Sequence, residues 1–200
     1  AGQNVKGEAG SSSDNNVSEK AESAKAVEAS ETATTTVAAD GVSDTKSAGI
    51  PDLYSALTGT AIPLSQVNDV TFASEVLGKG IAVIPEKGEV VAPCDATVET
   101  VFDTKHAVGM STESGVELLI HIGINTVELG GKYYTTHVKD GDQVKKGQLL
   151  VSFDMDKIKE AGYDVTTPLI VTNSDDYRDV KILHEGMVTP EDKVLEIVKE

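Results

Sequence analysis

No leucine, phenylalanine, tyrosine or tryptophan occurs in the first 50 of the 200 residues, where Ala, Ser, Thr, Glu and Asp dominate. Such a stretch cannot bury enough apolar surface to offset the entropy of ordering it. Residues 1–50 are therefore expected to be a disordered, acidic, low-complexity linker or tail. Residues 17–31 have helix-forming composition, but their Ala and Val positions make no apolar stripe. Cysteine occurs once, at Cys94, which excludes an intramolecular disulfide and suits a reducing compartment. Its A-P-C-D-A setting reads as a packed position beside a turn, not a nucleophile. No apolar run is long enough to span a bilayer and no signal-peptide pattern is present, so the chain is expected to be soluble and cytoplasmic. Positive charge is scarce: 17 Lys and Arg against 33 Asp and Glu leave a net charge of −16. That argues against a nucleic-acid or anionic-membrane surface and permits a basic protein partner. The chain begins with Ala, inside linker-like sequence, and reads as a C-terminal piece of something longer.

Residues 51–200 are rich in Val, Ile, Leu, Thr and Gly and long enough to fold around a core of their own. Strand-like runs recur at 53–57, 61–64, 81–84, 89–92, 97–102, 108–110, 116–122, 133–138, 149–153, 166–171, 181–183 and 194–198, with Gly, Pro, Asp and Asn between them. Many short strands at close spacing predict an all-β, antiparallel sandwich or barrel-like single domain. Only 155–161, after Asp154 as a cap, and 69–72 look helical.

The stretch 104–127, T-K-H-A-V-G-M-S-T-E-S-G-V-E-L-L-I-H-I-G-I-N-T-V, carries two histidines in β-rich sequence. The polar turn formers at 111–115 predict a hairpin. A loop centred on Glu113 and Ser114 pairs Met110 with Glu117, Val108 with Leu119 and His106 with His121. The two imidazoles are then direct cross-strand neighbours, about 4.5–5.5 Å apart at Cβ. A slip of one residue would send one of them to the other face. Two adjacent histidines suit nucleophilic or general acid–base work near neutral pH.

The segments V-V-A-P-C-D-A-T-V at 90–98, T-K-H-A at 104–107 and E-L-L-I-H-I-G-I-N-T-V-E-L at 117–129 closely resemble the glucose-type enzyme IIA domain of the bacterial phosphoenolpyruvate-dependent sugar phosphotransferase system. Further likeness lies in D-V-T-F-A from Asp69, G-K-G-I-A from Gly78 and T-T-P-L-I-V-T-N at 166–173. It covers residues 53–200 and leaves out the tail.

The resemblance implies an antiparallel β-sandwich whose shallow apolar face presents the histidine pair. His121 matches the histidine that accepts a phosphoryl group on Nε2 from the phosphocarrier protein HPr and passes it to an enzyme IIB cysteine for sugar uptake. His106 matches a second, unphosphorylated histidine that supports the transfer, and Thr104 the residue that orients that second ring. The Gly123 carbonyl is expected to accept a hydrogen bond from the Nδ1–H of His121. Val70, Phe72, Val76, Ile120 and Ile122 are expected to form the apolar docking surface, with Asp69 facing a basic residue of HPr. Asn125 stands where the family commonly has Asp. Neither a metal nor a cofactor is required by this chemistry.

Other readings weigh less. A biotinyl or lipoyl carrier needs an exposed lysine at a hairpin tip. The segment 138–153, two Gly-centred turns around a short alternating strand, shows none, and Lys145 and Lys146 read as the solvated face of a turn. Zinc endopeptidases of similar architecture need H-x-x-x-D and H-x-H, and neither spacing occurs. His137 and His184 read as exposed or structural. A regulatory IIA-like domain, controlling a sugar transporter or metabolic enzyme through phosphorylation of the same histidine, is the alternative function. The tail suits a flexible tether to a membrane permease.

Overall fold

The computed structural model describes residues 49–199, all within one unit by their contacts. The expected disordered tail lies, but for its last two residues, outside them. Among the described residues there are fourteen strands. In chain order the first seven are β1 (Leu53–Tyr54), β2 (Gly59–Pro63), β3 (Lys79–Pro85), β4 (Glu89–Val91), β5 (Ala96–Val101), β6 (Ala107–Ser111) and β7 (Glu117–His121). The rest are β8 (Tyr134–Thr136), β9 (Gln143–Val144), β10 (Leu149–Phe153), β11 (Thr167–Val171), β12 (Asp179–Ile182), β13 (Gly186–Val188) and β14 (Lys193–Val198). All pairings are antiparallel.

An eight-stranded sheet runs in the order β13-β2-β3-β11-β7-β6-β5-β9, and two three-stranded sheets, β1-β14-β12 and β4-β10-β8, complete the sandwich. The central strands of the large sheet are buried on both faces, so they read as continuous apolar runs. Alternation then sorts their side chains. Ile81, Val83, Val108, Met110, Leu118, Ile120, Leu169 and Val171 face the main core. Ala82, Ala107, Leu119 and Ile170 face the other way, into a smaller cluster with Leu64, Val67, Phe72 and Ile124. That second cluster forms the floor beneath the histidines. Truncating Ile170, fully buried within it, to Ala would cost about 2–5 kcal/mol.

The short helix Val70–Ala73 closes the small cluster. Asp69 is its cap and not its first residue: Oδ1 accepts from the backbone N–H of Thr71 at 2.9 Å and of Phe72 at 3.4 Å. The helix Met155–Glu160 is capped in the same way by Asp154. Two strands differ from expectation. The run from Leu53 leaves the sheet after Tyr54, because Ser55 Oγ turns back onto the Leu57 carbonyl. Gly186–Val188, an edge strand with one apolar residue outward, had too little alternation to be read from sequence. No helix among the described residues is long and apolar enough to cross a membrane.

The register of the hairpin also differs. Ala107, not His106, pairs with His121, followed by Val108 with Ile120, Gly109 with Leu119 and Ser111 with Glu117. The loop explains it. Thr112 pairs with Val116, its N–H donating to the Val116 carbonyl at 2.9 Å and its Oγ1 accepting from the Val116 N–H at 3.0 Å. Three residues, Glu113, Ser114 and Gly115, therefore span the turn, with Gly115 at φ +85° in the left-handed region that such three-residue loops require.

Candidate active site

His121 ends β7 on the face of Leu119, half-buried, with the Phe72 ring tilted against it at 5.0 Å between centroids. Its Nδ1 lies 2.8 Å from the Gly123 carbonyl oxygen. A carbonyl only accepts, so Nδ1 carries the proton and Nε2 the lone pair. The chain reverses at Gly123, φ +81°, to bring that carbonyl back to the ring. A Cβ there would sit 2.6 Å from Thr126 Cγ2 and 2.8 Å from the Asp164 carbonyl, so only glycine fits.

His106 lies just before β6. The N–H of Lys105 donates to the Phe102 carbonyl at 2.7 Å, and Lys105 itself adopts φ +56°. This turn lifts His106 out of strand alternation and lets its ring reach His121 despite the register. The two rings meet edge to face, 4.8 Å between centroids, and Phe102 packs edge-on behind His106 at 5.7 Å. His106 is 1% exposed. Burial, aided by repulsion from His121, pushes its pKa down to about 3, so it is neutral at physiological pH. Thr104 Oγ1 lies 2.5 Å from His106 Nδ1. The Ile122 N–H donates to the His106 carbonyl at 2.6 Å and ties the backbones of the two histidines together.

The structure thus brings Thr104, His106, His121, Gly123 and Phe72 together. Val70 and Val76, on either side of Phe72 in the chain, are 78% and 72% exposed and available to a partner. Ile120 and Ile122 are not. Both are fully buried in the main core, because neighbours of His121 in an alternating strand point to the opposite face; the expectation that they line the docking surface is corrected. Asn125 is exposed and left-handed, at φ +59°. Asp69 doubles as the helix cap that holds Phe72 in place.

Sequence reasoning missed Phe102, four residues before His106 in the same turn, Thr126, four residues after Ile122, and Tyr134, which reaches Ile122 from β8. Cys94 is buried, and burial drives its thiol up to about 12, which removes it from nucleophilic chemistry. His137 is exposed and bonded through Nε2 to Ser152 Oγ at 2.7 Å; His184 is exposed. Among the described residues no three His, Cys, Asp or Glu side chains converge as a metal site.

Fold and site define a β-sandwich protein that presents a half-buried histidine, its Nδ1 held by a backbone carbonyl and a second, buried histidine ring against it, above an apolar cluster. A family model described as "phosphoenolpyruvate-dependent sugar phosphotransferase system, EIIA 1" matches residues 51–177. The beta-glucoside-specific EIIBCA component of Bacillus subtilis (strain 168) is 48% identical over 143 residues, covering 72% of this chain and 24% of that protein. The glucose-specific EIIA component of Oceanobacillus iheyensis is 46% identical over 143 residues, 71% of this chain and 87% of that one. The structure of glucose permease IIA from Mycoplasma capricolum superposes with a TM-score of 0.67 at 35% identity, over 72% of this chain and 92% of that one. The chain belongs to the EIIA 1 family of the phosphoenolpyruvate-dependent sugar phosphotransferase system. It spans about a quarter of the length of the EIIBCA and EIICBA relatives it matches.

Proposed function

We propose that His121 is the phosphoryl acceptor of this carrier, taking the group on Nε2 from phospho-HPr and passing it to the cysteine of an enzyme IIB domain for sugar uptake. The observation that carries this is the 2.8 Å contact between His121 Nδ1 and the Gly123 carbonyl. It fixes the tautomer and leaves the Nε2 lone pair to attack phosphorus in line. The Nε2–P bond forms as the N–P bond of the HPr phosphohistidine breaks, and the donor imidazole leaves carrying its own electron pair. Nδ1 keeps its proton throughout, so the proton count does not change.

His106 supplies a hydrogen bond. With the Thr104 hydroxyl donating to its Nδ1, the remaining proton sits on Nε2 and can be offered to a phosphoryl oxygen, where transition-state charge builds up. Its low pKa means that it donates as a neutral ring. Phe72 and the small cluster beneath it keep the site apolar and limit attack by water. The exposed Val70 and Val76, beside Asp69, suit HPr and IIB docking through an apolar patch with an acidic edge.

Residues 51–200 are read as the carrier domain and residues 1–50 as an acidic linker. The EIIBCA and EIICBA names of the relatives support a tether to a membrane permease, with the carrier working at its cytoplasmic face. The test is phosphoryl transfer from phosphoenolpyruvate through enzyme I and HPr. An acid-labile, base-stable label that vanishes in His121→Ala and persists in His106→Gln supports the assignment. Wild type that takes no label from competent HPr refutes it.

A further inference from the structure

The Ile122 carbonyl lies between the two histidines in the chain's hydrogen-bond network and is gripped by two side-chain hydroxyls. Thr126 Oγ1 donates to it at 2.7 Å and the Tyr134 hydroxyl at 3.0 Å. Both side chains are buried, Thr126 completely. Two donors use both lone pairs of the oxygen, and the N–H of the same residue is spent on the His106 carbonyl at 2.6 Å.

The next residue in the chain is Gly123, which has the widest conformational freedom of any residue type. Two peptide planes meet there. The second plane, which contains the carbonyl that holds His121 Nδ1, is pinned on its other side by the Ile124 N–H, which donates to the Asp164 carbonyl at 2.8 Å. The first plane, between Ile122 and Gly123, is pinned by the two hydroxyls. Thr126 also lies against Gly123 itself, since a Cβ there would fall 2.6 Å from its methyl carbon. One side chain therefore fixes the plane before the glycine and fills the space beside it.

We propose that Thr126, with Tyr134 assisting, is a positioning residue for phosphoryl transfer: its hydroxyl fixes the Ile122–Gly123 peptide and so aims the Gly123 carbonyl at His121 Nδ1. This rests on His121 as the phosphoryl acceptor. Without the clamp, the glycine turn loosens and the carbonyl wanders from the ring. The ring then loses both its tautomer and its in-line aim, while neither Thr126 nor Tyr134 touches the reacting atoms.

The test compares wild type with Thr126→Val, Tyr134→Phe, the double variant and Thr126→Ser, each checked for cooperative thermal unfolding. Two readouts are taken: the His121 tautomer by ring ¹⁵N NMR, and the rate of labelling from phospho-HPr. Thr126→Val and the double variant are expected to lose part of the Nδ1–H tautomer and to label roughly 10- to 100-fold more slowly, with Thr126→Ser restoring both. Folded variants that keep the wild-type tautomer overturn the proposal, whatever their rate. So does a shifted tautomer with a rate within twofold of wild type. Should the double variant not fold, Tyr134→Phe and Thr126→Val are judged singly on the same two readouts. Wild type that shows the tautomer but takes no label overturns the proposed role together with the acceptor reading, whereas a lost clamp effect in a labelled protein overturns the role of Thr126 alone.

Discussion

The ring of His106 meets the ring of His121 edge to face at 4.8 Å, although the residue paired with His121 across the hairpin is Ala107. The contact depends on the left-handed Lys105, φ +56°, which turns the chain just before β6. Any residue with a Cβ costs about 1–2 kcal/mol in that region, Lys105 included, and a β-branched one is worse still. Lys105→Val is expected to lose stability and to slow phosphoryl transfer, and Lys105→Gly to gain stability and keep the wild-type labelling rate. Denaturant titrations and labelling rates of the two variants check this; a Val variant as stable and fast as the Gly variant would show that the turn does not position His106.

Acid should weaken the fold through His106. The buried ring resists protonation until about pH 3, whereas the unfolded chain takes a proton near the ordinary histidine value of 6.5. Between those values the unfolded state binds more protons, so stability falls as pH falls, by about 1.4 kcal/mol per unit at most. His106→Gln cannot take up a proton and lacks this contribution. From about pH 7 to about pH 4.5, wild type should lose about 2–3 kcal/mol more than the Gln variant in urea melts. Parallel losses would remove burial of a neutral His106 as the explanation.

Asp69 is asked to cap a helix and to meet a partner, and the two tasks separate by substitution. Asn caps about as well as Asp, whereas Ala forfeits about 1 kcal/mol. Asp69→Asn should therefore keep wild-type stability and show weaker, less salt-sensitive labelling by HPr. Asp69→Ala should lose stability as well and release Phe72 from His121. If Asp69→Asn labels with the salt dependence of wild type, the carboxylate has no part in docking.

Asn125→Asp restores the carboxylate usual in the family at an exposed position whose left-handed backbone Asp also tolerates. An exposed ion pair contributes about 0–1 kcal/mol. The rate of labelling by HPr should change by less than about tenfold, and a change of several orders of magnitude would mean that Asn125 takes part in the chemistry.

Much of the site was legible because its signals are local. Polar turn formers marked the hairpin, the I-H-I-G run placed a carbonyl acceptor two residues from His121, and residues 69–72 read as helical, one position early because Asp69 is the cap. The register was misread because Glu113, Ser114 and Gly115 form a three-residue loop, and that depends on Gly115 taking the left-handed region. Adjacency to His121 in sequence does not put Ile120 and Ile122 on its face, because strand alternation turns them into the main core. Phe102, in the same turn as His106, and Tyr134, reaching Ile122 from β8, carried no signal, since neither a ring contact nor a side-chain bond to a carbonyl leaves a mark in composition or alternation.

The sequence by itself determined the β class, the acidity of the chain, the two histidines and the glycine that turns a carbonyl back onto one of them. These follow from composition, alternation and the steric freedom of single residues, all of which act over a few positions. Only the tertiary packing set the His106 ring against His121, laid Phe72 beside it and brought Tyr134 to the Ile122 carbonyl. Those relationships arise where strands distant in sequence are closed around two cores, and a hydrogen bond or ring contact across such a gap is fixed only once the packing is.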